Sequence, residues 1–452
     1  MSEWKLKREV EIESRGSRTD GQGGAMVRKR RLLVVMLLVV LPIVPAQLAQ
    51  AQTLTFWAYD FYDHSYYRIS ATQQYVSTHA RVYADIDSDV TYTTARQVGW
   101  MFDDIYADVT GVLGVPPDED GDSRIYVLLT DIRDVYDHDP NAISFVRAYF
   151  DPINGTVGPY SNGHEMIYLD VGQQLPTEEE AKRAVAHELA RMISLGADPD
   201  EEAWLVEGLG YLAERLCGLP HRPEIADYLS DPANSLTGWT MSRNDAGSTY
   251  LFVLYVYEQF GASAIEQIVA SPQNGLDSVA AVVAMDTDLL FRRWALANYL
   301  DLGSGPYRYA SLSIVDSGAD NVTRFLRPLP TDIPRPARNQ KSSVTGTLPY
   351  RGVTYYRMTA GSRVDPFIRV EDERPRAREW WPTLADGYGA AWLRGELLLQ
   401  EGLLSHTSTD VPPADTFLLC IAPAREVGAV DYRYTVHGTY QTYLPLVMKS
   451  AP

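Results

Sequence analysis

The feature that most constrains this sequence is an apolar, helix-like segment that carries a histidine and a glutamate side by side. His187 and Glu188 lie within Ala184–Ile193, whose other residues are mostly small or apolar. On a helix, residues four apart share a face, so His187 and Arg191 are expected to point into one cleft. The segment predicts a helix of about Thr177–Ser194 that presents these side chains together.

Two histidines at this spacing hold zinc in H-E-x-x-H peptidases, and the glutamate beside the first is the general base. In this chain Arg191 occupies the position of the second histidine. One predicted helix later, a W-x-x-E-G-x-x-x-x-x-E pattern runs from Trp204 through Glu207 to Glu214, and it resembles the segment by which gluzincin peptidases supply a glutamate as the third zinc ligand. Glu207 stands at that place.

Further segments follow the same order along the chain as in a known family. They are Asp118–Leu129, Ala148–Pro152, Ser161–Asp170 and Leu290–Leu300. Together with the His187 and Glu207 segments, this set resembles the hyicolysin-type family of secreted neutral metallopeptidases over roughly residues 75–310. The resemblance implies an α+β, zincin-like metallopeptidase domain that acts on polypeptide.

The resemblance also implies roles for individual residues. His187 and Glu207 would be zinc ligands and Glu188 the catalytic base. Strand residues Met166, Ile167 and Tyr168 would bind substrate.

Arg191 departs from this pattern in a way that affects the chemistry. A guanidinium stays protonated and has no lone pair for a metal. At ~4 Å it would repel a divalent cation by about 8 kcal/mol at an effective dielectric of about 20. A fork-shaped guanidinium can instead bind carboxylates. We therefore expect Arg191 to lie near Glu188 or Glu207, with the third zinc ligand lost and the site free of metal. Val206 and Gly210 also depart from the family pattern.

Several other residues are candidates for a role in the site. His164 or His221 could replace the lost ligand, although surface positions are the alternative for both. Tyr211 and Tyr250 could stabilise an oxyanion, although packing is the alternative for each. Asp118, Asp120 and Asp122 could bind calcium around the turn at Gly121, or form a solvated acidic hairpin.

The chain divides into several predicted regions. Residues 1–51 are an upstream extension and a signal peptide that starts at Met26, with the apolar run Leu32–Val44 and cleavage near Ala51. No stable membrane span would remain after cleavage. The other predicted regions are a peptidase-like domain at 52–326 (an α+β part at 52–195 and a mainly helical part at 196–326), a Pro-rich linker at 327–344, a β-sandwich domain at 345–440 and a tail at 441–452.

Composition excludes one class of partner. The chain has 40 basic and 59 acidic residues, a net charge of −19, and shows no cluster of Lys and Arg outside the leader. Nucleic acid is therefore not an expected partner. The two cysteines, Cys217 and Cys420, lie in apolar stretches and are expected to be buried thiols, with a disulfide between them as the alternative.

We therefore expect an exported bacterial protein of a zinc-metallopeptidase family, catalytically impaired, that binds polypeptide in its cleft. Two alternatives stay open. The first is an active secreted zinc metalloendopeptidase whose coordination is completed by another residue or by water. The second is a surface adhesion or carbohydrate-binding protein that acts through its β-domain, where Trp380 and Trp381 could stack on sugar rings.

Overall fold

A computed structural model describes residues 52–139, 142, 144–301, 304–334 and 341–359, followed by strands 367–372, 380–386, 403–405, 416–423 and 430–439. The predicted leader with its cleavage site near Ala51 and the tail 441–452 lie outside these residues. Within the described part of the chain, no helix is long and apolar enough to cross a membrane.

The first part of the chain forms a six-stranded mixed sheet. Its strands are β1 (Thr53–Asp60), β2 (Ser65–Val76), β3 (Ala80–Asp85), β4 (Ile125–Thr130), β5 (Ala148–Phe150) and β6 (Met166–Asp170). Their order across the sheet is β1-β2-β3-β4-β6-β5. Strands β3, β4 and β6 run parallel, whereas β5 pairs antiparallel with β6 at the edge.

Eight helices are described. They are α1 (Tyr92–Leu113), α2 (Glu179–Ala197), α3 (Ala203–Leu216), α4 (Glu224–Ser230), α5 (Arg243–Phe260), α6 (Ala262–Val269), α7 (Gly275–Val282) and α8 (Thr287–Leu300). Helices α1 and α2 cover one face of the sheet, α3 packs on α2, and α5 packs on α3.

Strand alternation divides the core between the two faces of the sheet. Val127 and Ile167 point toward the helices and pack with Phe102, while Tyr126 and Met166 point to the other face and join an aromatic cluster. Successive strand residues face opposite sides, so both faces of the central strands are buried. This arrangement fixes α2 against β5 and β6, the two strands nearest the edge.

The C-terminal part of the chain is β-rich. Its strands are β7 (Ser313–Val315), β8 (Arg324–Leu326), β9 (Thr331–Pro334), β10 (Lys341–Leu348), β11 (Thr354–Thr359), β12 (Phe367–Asp372), β13 (Trp380–Asp386), β14 (Leu403–Ser405), β15 (Thr416–Pro423) and β16 (Val430–Thr439). They include two four-stranded sheets, β10-β16-β12-β14 and β13-β15-β11-β9. Face-to-face packing of these sheets into a sandwich stays a prediction.

Two observations concern the predicted domain division. The segment expected to be a linker, 327–344, contains β9 and the start of β10. Strand β11 packs on the helical part, since the Tyr355 hydroxyl donates to the Ala295 carbonyl of α8 at 2.6 Å.

Cys217 is a buried free thiol, as the sequence predicted.

A buried carboxylate organises the start of α5. Asp245 accepts hydrogen bonds from Thr240, Ser242 and Asn234, and forms a capping box with Ser242. Burial opposes its ionisation, but these donors outweigh that effect and lower its pKa. A carboxylate with a lowered pKa stabilises the fold above its unfolded pKa and loses this effect as the pH falls through the folded value.

We expect Asp245→Asn to lower the free energy of unfolding by about 1–3 kcal/mol at pH 7, because buried donors lose their charged acceptor. The difference from the unmodified protein should shrink as the pH falls below about 4, where the wild-type carboxyl is protonated too. Urea denaturation of both proteins between pH 3 and 7 measures it. A difference that is constant with pH would contradict this account.

Candidate functional site

Helices α2 and α3 bring the predicted site residues together. The Nε2 atom of His187 lies 3.1 Å from Oε2 of Glu207, so the two predicted zinc ligands contact each other across the helix pair. Glu188 and Arg191 lie on the same side of α2. The H-E-x-x-R segment and the W-x-x-E-G segment therefore lie together, as the resemblance implied.

The guanidinium of Arg191 lies between two carboxylates. Its Nη1 donates to Oε2 of Glu188 at 3.0 Å, and its Nε lies 3.3 Å from Oε1 of Glu207. The expectation that Arg191 turns inward toward these two residues is confirmed. Glu188 also accepts the backbone N–H of Phe150 at 3.0 Å, which ties the helix to edge strand β5. Both donors converge on the same Glu188 oxygen.

Glu214 belongs to this site, although the sequence alone gave it no role. It is only 2% exposed, and it accepts hydrogen bonds from Arg183, Arg222 and His187. The His187 Nδ1 atom lies 3.1 Å from Oε1 of Glu214, so the imidazole is held at both ring nitrogens. The signal available in the sequence was the spacing, since Glu214 lies seven residues, or about two helical turns, after Glu207.

The surrounding charges shift the ionisation of each group. Burial opposes the charged form of His187, but Glu207 and Glu214 outweigh it and raise its pKa to about 9. Against the effect of burial, His187, Arg191 and Arg222 lower the pKa of Glu207. His187, Arg222 and Arg183 likewise lower the pKa of Glu214. For Glu188, burial raises the pKa although Arg191 opposes the shift.

Gly210 shapes the position of the imidazole. A Cβ atom at this residue would lie 2.6 Å from Cε1 of His187 and 2.7 Å from both ring nitrogens. The imidazole therefore packs directly on the backbone of α3, which allows it to reach Glu207 and Glu214 at once. This contact gives a physical reason for the glycine that departs from the family pattern.

Other candidate residues have different surroundings. Tyr211 lies beside the site, with its ring centroid 4.9 Å from that of His187. The guanidinium carbon of Arg222 lies over the Tyr211 ring, 4.5 Å from its centroid. Tyr250 is buried in α5 and its hydroxyl contacts Nδ1 of His221 at 2.6 Å, which corresponds to the packing alternative rather than to an oxyanion role.

Neither candidate replacement ligand contacts the His187 site. His221 is buried and its Nε2 contacts the Ser311 carbonyl at 3.0 Å, which also contradicts the expected surface position. His164 contacts Asp120 at 2.5 Å and stacks on Tyr126. Both histidines are thus engaged elsewhere.

The prediction that Met166, Ile167 and Tyr168 contact substrate is wrong. All three are at most 1% exposed, and their strand β6 has β4 on one side and β5 on the other. Residues Ile167–Leu169 are paired with both neighbouring strands, so the side chains and most backbone groups of β6 are not presented to a ligand. The edge position belongs to β5, which carries Ala148 and Phe150.

The acidic turn also differs from its predicted arrangement. Asp122 pairs with Arg81 at 2.5 Å and with Arg124 at 3.0 Å, so it is not available as a calcium ligand. Asp118 and Asp120 instead come together with Glu165, and one ligand atom of each lies within 4.8 Å of the others. Glu165 replaces Asp122 in this cluster.

The residues around His187 do not fit a zinc site. A catalytic zinc takes three protein ligands, and the place of the third holds the Arg191 guanidinium. Within the described ranges, Asp118, Asp120 and Glu165 form the only group of three His, Cys, Asp or Glu side chains whose ligand atoms are this close.

An α+β sheet-and-helix fold with a His-Glu helix facing a second glutamate-bearing helix is the arrangement expected of a metallopeptidase scaffold. Comparison with known proteins supports this class. The chain is 26% identical over 246 residues to the neutral metalloprotease ShpI of Staphylococcus hyicus, which covers 49% of this chain. The chain spans about half, 55%, of the length of that relative. No family model matches the sequence. The match supports a distant relationship to metallopeptidases.

We expect Gly210→Ala to destabilise the protein by about 1–3 kcal/mol, because the added methyl group would displace the buried His187 ring. Thermal or urea denaturation measures this effect. The matched control is Gly111→Ala in the interior of α1, where a Cβ meets nothing within 4 Å. That control should be neutral or stabilising by up to about 1 kcal/mol. Equal effects of the two substitutions would contradict the packing described for His187.

Proposed function

We propose that this protein is a metallopeptidase-fold protein in which a guanidinium replaces the catalytic metal, so that it binds polypeptide without efficient hydrolysis. The observation that supports the proposal is the position of Arg191, 3.0 Å from a Glu188 oxygen and 3.3 Å from a Glu207 oxygen. Two carboxylates in a half-buried cleft need a cation, and here the chain itself provides one.

The loss of the metal would remove the main source of reactivity. When bound in such a site, zinc lowers the pKa of its water to about 7 and so supplies a nucleophile. Glu188 is expected to be the base in an intact enzyme, but in this chain its Oε2 atom already accepts from Arg191 and from the Phe150 backbone. The same carboxylate is therefore held as part of an ion pair rather than left open to water.

The edge strand β5 is the proposed contact for polypeptide. The backbone N–H of Asp170 donates to the Arg147 carbonyl, so Arg147 and Asp170 form a hydrogen-bonded pair of the β5–β6 ladder. Such pairs alternate along an antiparallel ladder with pairs that are not hydrogen-bonded to each other. The backbone groups of Ala148 and Phe150 therefore point away from β6, on the side where Phe150 contacts Glu188. An extended peptide can add to such an edge through main-chain hydrogen bonds.

The remaining features of the proposal concern location and ligand. We propose that the protein is exported, with polypeptide as its ligand and with a role for the C-terminal strands in contact with carbohydrate or a cell surface. Its acidic net charge of −19 is consistent with a ligand other than nucleic acid.

The metal content separates the proposed function from that of an active zinc enzyme. We expect the purified protein, incubated with excess zinc and desalted, to retain far less than one zinc per chain. Arg191→His should retain about one, because it restores an imidazole on the face shared with His187. Elemental analysis gives the ratio directly.

The control is Arg191→Gln, which removes the same positive charge without supplying an imidazole, and which should not retain stoichiometric zinc. If the unmodified protein already holds one zinc per chain, the guanidinium does not replace the metal. A protease assay with Glu188→Gln would then test the alternative of an active endopeptidase.

The peptide-binding prediction is tested at Ala148. We expect Ala148→Pro to weaken binding of fluorescently labelled, unfolded casein about tenfold, because proline removes the outward N–H without removing a bond to β6. Ala148→Val keeps that N–H and should bind like the unmodified protein. Fluorescence anisotropy measures the affinities, and gel electrophoresis of the same samples should show intact casein. Equal affinities for the proline and valine variants would place the ligand elsewhere.

A further inference from the structure

A second polar cluster lies at the amino-terminal ends of the parallel strands β4 and β6. Asp118 and Asp120 belong to the turn that precedes β4, and Glu165 directly precedes β6. Each residue offers one carboxylate oxygen, and the three oxygens lie within 4.8 Å of one another. The turn has the left-handed backbone conformation at Gly121, with φ of +79°, which a residue without a side chain adopts readily.

Glu165 is the residue that distinguishes this cluster from an ordinary acidic surface. Its side chain is 3% exposed, and its Oε1 atom accepts the backbone N–H of Glu119. Its Oε2 atom is buried and has no hydrogen-bond partner. A buried carboxylate oxygen without a partner is strongly unfavourable unless a proton or a cation satisfies it.

The neighbouring basic side chains contact other carboxylate oxygens and not Oε2 of Glu165. Arg81 and Arg124 both pair with Asp122, on the other side of the turn. His164 contacts Oδ2 of Asp120 and stacks on Tyr126 with ring centroids 4.1 Å apart. These contacts fix the orientation of Asp120, and they leave three carboxylates gathered around a common point.

The oxygen donors of the cluster suit a hard cation such as Ca²⁺. Ca²⁺ binds oxygen ligands at about 2.3–2.6 Å, so two oxygens on opposite sides of the ion are about 4.8 Å apart. It also accepts six to eight oxygens in flexible geometry, and water can complete the shell because Asp118 is exposed. Zinc sites instead favour nitrogen and sulfur ligands in a tetrahedral set.

We propose that Asp118, Asp120 and Glu165 form a Ca²⁺-binding site that joins the turn before β4 to the start of β6. Three carboxylates with one exposed member correspond to a weak site, with a Kd of about 0.1–1 mM, as in extracellular calcium modules. The ion would hold the end of the β5–β6 connection in place. Phe150, whose N–H contacts Glu188, pairs with Ile167 only two residues beyond Glu165.

The alternative for Glu165 is protonation. Burial, with the nearby Asp120 and Asp118 carboxylates, raises its pKa, so a proton could satisfy Oε2 in the absence of metal. The two alternatives differ in their response to calcium and to substitution. A bound ion stabilises the fold by an amount that rises with its concentration, whereas a protonated carboxyl does not respond to calcium.

The test is a calcium titration of the purified protein, freed of metal with a chelator, by isothermal calorimetry and thermal denaturation. We expect one Ca²⁺ per chain and a melting temperature that rises by about 5 °C at roughly 100 times the Kd. Both Asp118→Asn and Glu165→Gln should weaken calcium binding at least tenfold. Asp118 is exposed, so its substitution should leave the fold intact. Glu119→Gln removes the same charge from the same turn without removing a proposed ligand, and should bind calcium like the unmodified protein.

Three results would overturn the proposal. The first is a melting temperature that does not respond to 10-fold more calcium than the expected Kd. The second is calcium binding that is unchanged in both Asp118→Asn and Glu165→Gln, which would place the ion elsewhere. The third is an equal loss in Glu119→Gln, which would indicate a general effect of negative charge. None of these results bears on the Arg191 site, whose zinc content is measured separately.

Discussion

The arrangement of this protein depends on ion pairs buried between helices α2 and α3. Glu188, Glu207 and Glu214 bring three carboxylates into a region that is largely closed to water. Each of them meets a positive group from a nearby element: Arg191 contacts the first two, while Arg183 and Arg222 contact the third. Removing one partner from such a set leaves an uncompensated buried charge, which costs about 3–5 kcal/mol. The helix pair is therefore held by matched charges as well as by its apolar surface.

The imidazole of His187 lies at the centre of these contacts because Gly210 has no side chain. With the ring against the α3 backbone, Nε2 faces Glu207 and Nδ1 faces Glu214, each at 3.1 Å. Two carboxylates on opposite nitrogens favour the doubly protonated ring, which agrees with a pKa of about 9 for His187. Gly210 and Arg191 thus act on the same site from different helices: one sets the position of the imidazole, and the other supplies the remaining cation.

The sequence predicted helices better than it predicted the sheet. The helix expected at about Thr177–Ser194 corresponds to α2, because its apolar residues recur at three- and four-residue spacing. Strands β1 and β2 were not identified. Their tyrosines and polar residues occupy many half-buried positions, so the sequence shows no clear alternation of apolar and polar residues. Within the site, spacing along one helix placed His187 and Arg191. It could not place Glu165 beside Asp118, because that contact requires β4 and β6 to be neighbours in the sheet. The assignment of substrate contacts to β6 failed for a related reason. The sequence does not show that β5, which precedes β6 in the chain, is the edge strand of the sheet and covers one side of β6.

The chemical difference between a guanidinium and a zinc ion explains why similar geometry need not give similar activity. Both neutralise facing carboxylates, since Arg191 forms ion pairs with Glu188 and Glu207 through two separate nitrogens. Only the metal also acidifies water, from a pKa of about 15.7 to about 7. That difference of nearly nine units corresponds to about 12 kcal/mol at about 1.36 kcal/mol per unit. A carboxylate base alone cannot supply a contribution of that size. On the proposed function, Arg191 therefore preserves the architecture of the cleft and its contact with β5, while the step that needs an activated water is lost.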